Sequence, residues 1–330
     1  MPRIHFQLPI LIASAVLMLS GVSAYAAAAD EAWPSKPITM IVPFPPGGVA
    51  DTVARPVAQA LAKELKKSVV VENRAGAGGG IGIAQVAKAT PDGHTLLMSL
   101  SSMTTIPEAD KILGRPPMFE LAQLKPIARF TADPTVLVVR ADSPWNNLND
   151  FISAVRSKPG AYQYSSSGNY GTMHVPMEML KAQANLRILH IPYTGAAPAV
   201  LGLLSGQVDA VSTGPASVVQ HIKSGKLRAL AHWGTDRLAA LPDVPSLKQS
   251  GFPVEYAQWS GLFVPANTPE PVIARLRDAA QKVADDPAVK QAISTAGSPI
   301  MYMDAPEFQR YLAADAEKMK DVVKKIGKVD

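Results

Sequence analysis

No cysteine occurs among the 330 residues. That absence excludes disulfides, zinc–thiolate sites, iron–sulfur clusters and a thiol nucleophile. Long basic runs are missing too. The formal charge of +5 comes from scattered Lys and Arg, and aromatic residues make up only 6%, so nucleic-acid binding finds no support. The common catalytic signatures are also absent. There is no G-x-S-x-G elbow, no H-E-x-x-H and no G-x-x-x-x-G-K-[ST], and the six histidines show no metal-ligand spacing. Carboxylate pairs such as Asp285-Asp286 fall on what reads as a solvated helix face. These gaps lead us to expect a non-enzyme with no metal and no cofactor.

The N-terminal residues carry a different kind of signal. Arg3 and His5 form a short positive region, and Leu8 to Leu19 is an apolar run too short to span a bilayer. Ala24-Tyr25-Ala26 follows as an A-x-A cleavage site, with Ala27 to Ala29 allowing a slightly later cut. The expectation is a cleaved signal peptide over residues 1–26. Losing Arg3 with it lowers the formal charge from +5 to +4. No cysteine follows the run, so a lipoprotein anchor is excluded. Export without disulfides fits a bacterial periplasm.

Beyond that segment, short β-branched runs alternate with helical patterns. Ile38–Val42, Val69–Val71 and Thr95–Leu100 read as strands, with helices at 51–66 and 80–89. A second series has strands at Val136–Val139, Tyr162–Ser165, Ile188–Ile191, Val208–Ser212 and Leu227–His232, separated by helical segments. Such alternation predicts βαβ units and mostly parallel, helix-flanked sheets. After a strand at Gly261–Val264, three helical segments follow, at 269–285, 288–296 and 305–326. They have no sheet of their own and are expected to pack back on the first. The prediction is an α/β fold of two lobes joined by two crossings, with a ligand cleft between them. Lobe 1 takes residues 30–130 and 258–330, and lobe 2 takes 131–257. About 300 residues suits two domains, and the chain is expected to act as a monomer.

Ligands in open α/β sheets bind at the carboxyl ends of strands. The loops there are the candidate site. Pro43-Phe44-Pro45-Pro46-Gly47-Gly48-Val49-Ala50-Asp51 joins a strand to a helix N-terminus, where unpaired N–H groups attract anions. It reads either as a plain tight turn or as an anion grip, with Phe44, Gly47, Gly48 and Asp51 as candidates. Ser165 to Thr172 repeats the device in the second lobe. Here Ser167, Gly168, Tyr170, Gly171 and Thr172 are candidates, and Thr172 is placed to cap the following helix. His174 reads either as a ligand contact or as a histidine satisfied within the helix. Ser101 and Ser102 offer hydroxyls after the third strand, and Tyr193 and Thr213 offer more from the second lobe. Asp209 reads as a ligand acceptor or a loop anchor, the anchor being favoured. The glycine run Gly76 to Gly82 lacks G-x-G-x-x-G spacing and reads as a flexible loop and helix start.

Taken together, these residues resemble a known family. Trp33-Pro34-x-Lys36-Pro37-Ile38 is followed by Val42-Pro43-Phe44-x-x-Gly47-Gly48-x-x-Asp51-x-x-Ala54-Arg55. Then come Val71-Glu72-Asn73-Arg74-x-Gly76-Ala77-Gly78-Gly79, Pro91-Asp92-Gly93-His94-Thr95-Leu96 and Ser167-Gly168-x-x-Gly171-Thr172-x-His174. Pro192-Tyr193-x-Gly195, Gly206-Gln207-Val208-Asp209, Pro242-Asp243-Val244-Pro245 and Trp259-x-Gly261-Leu262 complete the set. The chain resembles the periplasmic substrate-binding proteins of the tripartite tricarboxylate transporter system, the Bug or TctC family. The resemblance implies a two-lobed type II binding-protein fold that closes on a small di-, tri- or aromatic carboxylate and delivers it to a membrane permease. It implies that Phe44, Gly47, Gly48, Gly168, Gly171 and Thr172 grip one carboxylate. The sequence departs from the family pattern at Gly114-Arg115-Pro116-Pro117-Met118-Phe119, where members often carry Tyr-Asp-Pro. A sensor partner of a membrane signalling protein would use the same receptor chemistry, and a small-carboxylate enzyme would use the same cleft.

Overall fold

The computed structural model describes residues 1–2 and 33–329. The expected signal peptide lies almost wholly outside the described residues. From Lys36 onward the chain forms one compact unit.

The first part of that unit runs β1 (Ile38–Val42), α1 (Val49–Leu65), β2 (Val69–Asn73), α2 (Gly80–Ala87), β3 (Thr95–Leu100), α3 (Ile106–Ile112) and β4 (Leu124–Pro134). The middle part comprises β5 (Val136–Arg140), α4 (Leu148–Ser157), β6 (Gln163–Ser166), α5 (His174–Ala184) and β7 (Leu189–Pro192). It continues with α6 (Ala196–Leu204), β8 (Ala210–Thr213), α7 (Val219–Lys223) and β9 (Leu227–His232). The last part is β10 (Ala257–Pro265), α8 (Glu270–Asp285), α9 (Pro287–Thr295), β11 (Ile300–Asp304) and α10 (Ala305–Ile326).

The strands form two sheets, ordered β11-β4-β10-β3-β1-β2 and β7-β6-β8-β5-β9. β1 is apolar on both faces, as a strand covered by helices on both sides must be. It pairs in parallel with β2 and β3. α1 buries Val53, Val57, Leu61 and Leu65, a stripe at helical spacing. The sheets are mixed rather than mostly parallel. In the first, β10 lies antiparallel between β3 and β4, and β11 adds a further antiparallel edge. In the second, β5 pairs antiparallel with both β8 and β9. The cause is the double crossing: the strands that carry the chain out to the second lobe and back cannot share one direction. β11 lies between the second and third of the helical segments expected in the tail, where no strand was expected.

The two connecting strands run side by side, from Ala257 opposite Pro134 to Pro265 opposite Leu124. Each lobe has its own core. Trp259, Phe263 and Phe308 centre the first, with Trp259 and Phe308 in edge-to-face contact at 5.3 Å. Two clusters, around Phe151–Tyr164–Trp233 and around Val138–Val200–Val211, fill the second. α10 packs on β4 and α3 of the first lobe but also reaches α5 of the second, and its Met319 belongs to the second lobe's core.

Candidate functional site

The loops following β1, β3, β6 and β8 converge between the lobes, and their geometry follows from small residues. Pro45 presses on Gly195, where a Cβ would stand 2.3 Å from the proline Cδ; a Cβ on Gly48 would sit 3.7 Å from that of Ala196. Thus the start of α1 meets the start of α6 across the cleft. A second approach brings Gly78 against Gly168, whose added Cβ would lie 3.1 Å from the Gly78 nitrogen. Neither α1 nor α6 has a capping side chain, their N-caps being Gly48 and Gly195. The first-turn N–H groups of both helices therefore have neither intrahelical acceptor nor cap.

The candidate residues divide into two groups. Ser102, Ser167 and Thr213 are buried, and their hydroxyl oxygens have no hydrogen-bond partner. Each stands at or just beyond the carboxyl end of its strand. A buried hydroxyl without a partner costs roughly 1–3 kcal/mol, so three such groups mark where a polar guest belongs. Gly171 keeps the floor open, because a Cβ there would come within 3.0 Å of Ser167 Oγ. Thr172 is buried beside them. The ring of Phe44 lies against Gly79, where a Cβ would be 2.9 Å away.

The second group is committed elsewhere. Asp51 accepts the Gly47 N–H at 3.0 Å, both nitrogens of an Arg55 fork at 2.9 Å and the Asn73 amide at 2.9 Å. Burial alone would raise its pKa, but these donors hold it below the ordinary value. Asp51 thus shapes the Gly47 turn, where φ is +77°, rather than facing the cleft with a free oxygen. Asp209 accepts the Gln163 N–H at 2.8 Å, at the opening end of β6 and β8. The four-residue strand β8 puts it about 13 Å from Thr213. Ser101 Oγ bonds the Tyr256 hydroxyl at 2.9 Å, and the Tyr193 hydroxyl donates to Gln207 at 3.0 Å.

His174 is fully buried, and its Nδ1 accepts the Tyr170 N–H at 3.0 Å. Its ring stands 4.2 Å from that of His190, which bonds Ser166 Oγ at 2.6 Å. Burial pushes both imidazoles down to about 3, and mutual repulsion adds to this at His190. They are therefore neutral at physiological pH, and the Glu178 carboxylate 3.6 Å from His174 Nε2 makes no ion pair. His174 holds the loop. Thr172 is not a cap: α5 starts two residues later, after a tight turn at Gly171, and has no side-chain cap.

One residue that sequence reasoning missed is Gln258, on β10. It is buried, its Nε2 lacks a partner, and it lies 2.7 Å from where a Gly214 Cβ would be, next to Thr213. Only the pairing of β10 with β4 brings it there, opposite Asp133, and no local pattern reports that. An open cavity of about 680 Å³ continues outward from the Gly78–Gly168 contact. Its walls include Asn169 and Tyr193 on one side, and Asp110 and Arg115 on the other. Arg115 Nε bonds Asp110 Oδ1 at 2.7 Å, so the segment that departs from the family pattern faces this cavity.

Known proteins carry the same architecture. Residues 53–328 match the family model described as "Tripartite tricarboxylate transporter family receptor". A UPF0065 protein of Bordetella pertussis is 34% identical over 328 residues, covering 98% of each chain. The solved periplasmic binding protein BugD superposes with a TM-score of 0.84 at 32% identity, covering 89% of this chain and 98% of its own. MatC of Rhodopseudomonas palustris, solved with bound malate, gives a TM-score of 0.82 at 28% identity, covering 88% of this chain and all of its own. The family is a class of solute-binding receptors, and its two-lobed α/β architecture is the one described above. The chain belongs to the tripartite tricarboxylate transporter receptor family.

Proposed function

We propose that the chain is a periplasmic receptor that captures a small carboxylate between its lobes and hands it to a tripartite tricarboxylate-type membrane permease. The observation that carries this reading is the set of three unpartnered, buried hydroxyls, Ser102, Ser167 and Thr213, each at or just beyond the carboxyl end of its strand, together with two uncapped helix starts that meet across the cleft. A carboxylate has two oxygens and about four lone-pair sites. Hydroxyls and first-turn N–H groups would satisfy them, and the helix dipoles favour the negative charge. The donors come from both lobes, so the ligand's contacts differ between open and closed states, which is what ligand-driven closure requires. Malate bound to a 28% identical relative supports the ligand class. The leader-like N-terminus supports a periplasmic location. Binding of this kind needs no covalent step.

A thermal-shift screen against mono-, di-, tri- and aromatic carboxylates tests the reading, because a bound ligand raises the melting temperature by mass action. The best ligand is then titrated by calorimetry against Ser167→Ala. Loss of one donor to a charged group should weaken binding about tenfold or more. The ligand-free variant should be as stable as the parent or slightly more so, since an unsatisfied buried group is gone. A screen in which no carboxylate shifts the melting temperature, or turnover of one that binds, would overturn the assignment.

A further inference from the structure

Tyr170 sits in the ligand loop, yet none of its polar groups is available to a ligand. Its N–H donates to His174 Nδ1 at 3.0 Å. Its carbonyl accepts the Thr105 hydroxyl at 2.6 Å, from the turn before α3 in the first lobe. Its own hydroxyl donates to the Gly327 carbonyl at 2.7 Å and accepts the Val329 N–H at 3.1 Å, both in the segment that follows α10. The residue is 2% exposed. Its ring packs with Ala109 of α3 and Val323 of α10, flanked by Ile112, Leu113 and Val329. Its φ of +56° is a left-handed conformation that a bulky residue adopts only under external hold.

We propose that Tyr170 is a latch. Its side chain fastens the second lobe's ligand loop to α3 and to the chain after α10, and so retards opening of the closed receptor. Three features point the same way. The four hydrogen bonds reach three separate elements. Two of these, the turn before α3 and the segment after α10, fall within the residues assigned to the first lobe, as does α3, on which the ring packs. The unfavourable backbone conformation survives only while the bonds hold, so release of the hydroxyl also loosens Ser167 to Thr172. The latch thus acts on ligand release through position, without touching ligand. Its geometry stands apart from the receptor reading, and only its consequence for release rests on that reading.

The test compares the parent with Tyr170→Phe, which keeps the ring and removes the hydroxyl, and with Val329→Pro, which removes the donor N–H but leaves Tyr170 intact. Small-angle scattering of the ligand-free proteins should show a larger radius of gyration for both variants. Amide exchange in the segment after α10 should be faster in Tyr170→Phe. With malate as probe, dissociation should be about tenfold faster in Tyr170→Phe, while association stays within twofold, as expected for two lost hydrogen bonds. An unchanged radius together with unchanged exchange would overturn the latch, as would an effect confined to association. If malate fails to bind the parent, the scattering and exchange results still decide the latch, and that failure counts against the carboxylate reading alone.

Discussion

Among single residues, Asp133 shows most clearly what burial does to chemistry. It lies near the end of β4, 3% exposed, with Oδ2 unpartnered. Burial pushes its pKa up to about 7, although the neighbouring Ser298 and Thr131 hydroxyls offset part of the rise. Between about pH 4 and 7 the folded protein therefore keeps a proton that the unfolded chain releases, so this residue's destabilising effect grows through that window. Asp133→Asn should leave stability nearly unchanged near pH 4 and raise it by on the order of 4 kcal/mol at pH 8. Urea unfolding at the two pH values checks this; equal gains at both would refute it. His174 and His190 act in the opposite sense. Their folded pKa values near 3 lie below the unfolded value of about 6.5, so acidification through that window favours the unfolded chain.

At the scale of elements, the start of α1 depends on one carboxylate. Asp51→Ala would remove the acceptor shared by Arg55, Asn73 and the Gly47 N–H, leaving Arg55 only Asn73 Oδ1 and the Asn73 amide only the Phe44 carbonyl. A loss of about 2–3 kcal/mol is expected, with the Gly47 turn loosened and ligand affinity falling as a secondary effect. Melting temperature and calorimetry on the same variant would show whether both move. Much of this level was legible in the sequence. The buried run Ile38–Val42 and the apolar stripe of α1 announce themselves by period, and the glycines of both loops announce turns. β11 was not legible, because Ile300–Asp304 is a half-exposed edge strand with weak alternation. Thr172 had the right residue type for a cap, but the tight turn at Gly171 delayed the helix by two residues. Asp51 had the right place for a ligand contact; its partner Arg55, four residues on in the same helix, was within local reach, but its partner Asn73 exists only once α1 and β2 are docked. Gln258 depends on a strand pairing more than 120 residues apart in sequence, which no local pattern encodes.

For the molecule as a whole, closure depends on how near the lobes can come. Gly195 has an extended backbone that any residue could adopt. Its side chain is forbidden only by Pro45 from the opposite lobe. Gly195→Ala should therefore leave each lobe's fold and melting behaviour near the parent's while holding the cleft open. A larger radius of gyration in solution and a loss of carboxylate affinity of tenfold or more are expected. Unchanged affinity would mean that the two loops need not meet for binding.

The pairing of β4 with β10 has a mechanical consequence. Two tethers about 5 Å apart, hydrogen-bonded along nearly their whole length, behave as a single ribbon. A ribbon bends readily across its face and resists shear in its own plane. The lobes are thus geared to one principal rotation, like the covers of a book on a narrow spine, and a small flex at Pro134 and Ala257 becomes a large excursion at the far rim. Random thermal motion is thereby channelled into the one coordinate along which the loop after β1 meets the loop after β7 and Gly78 meets Gly168.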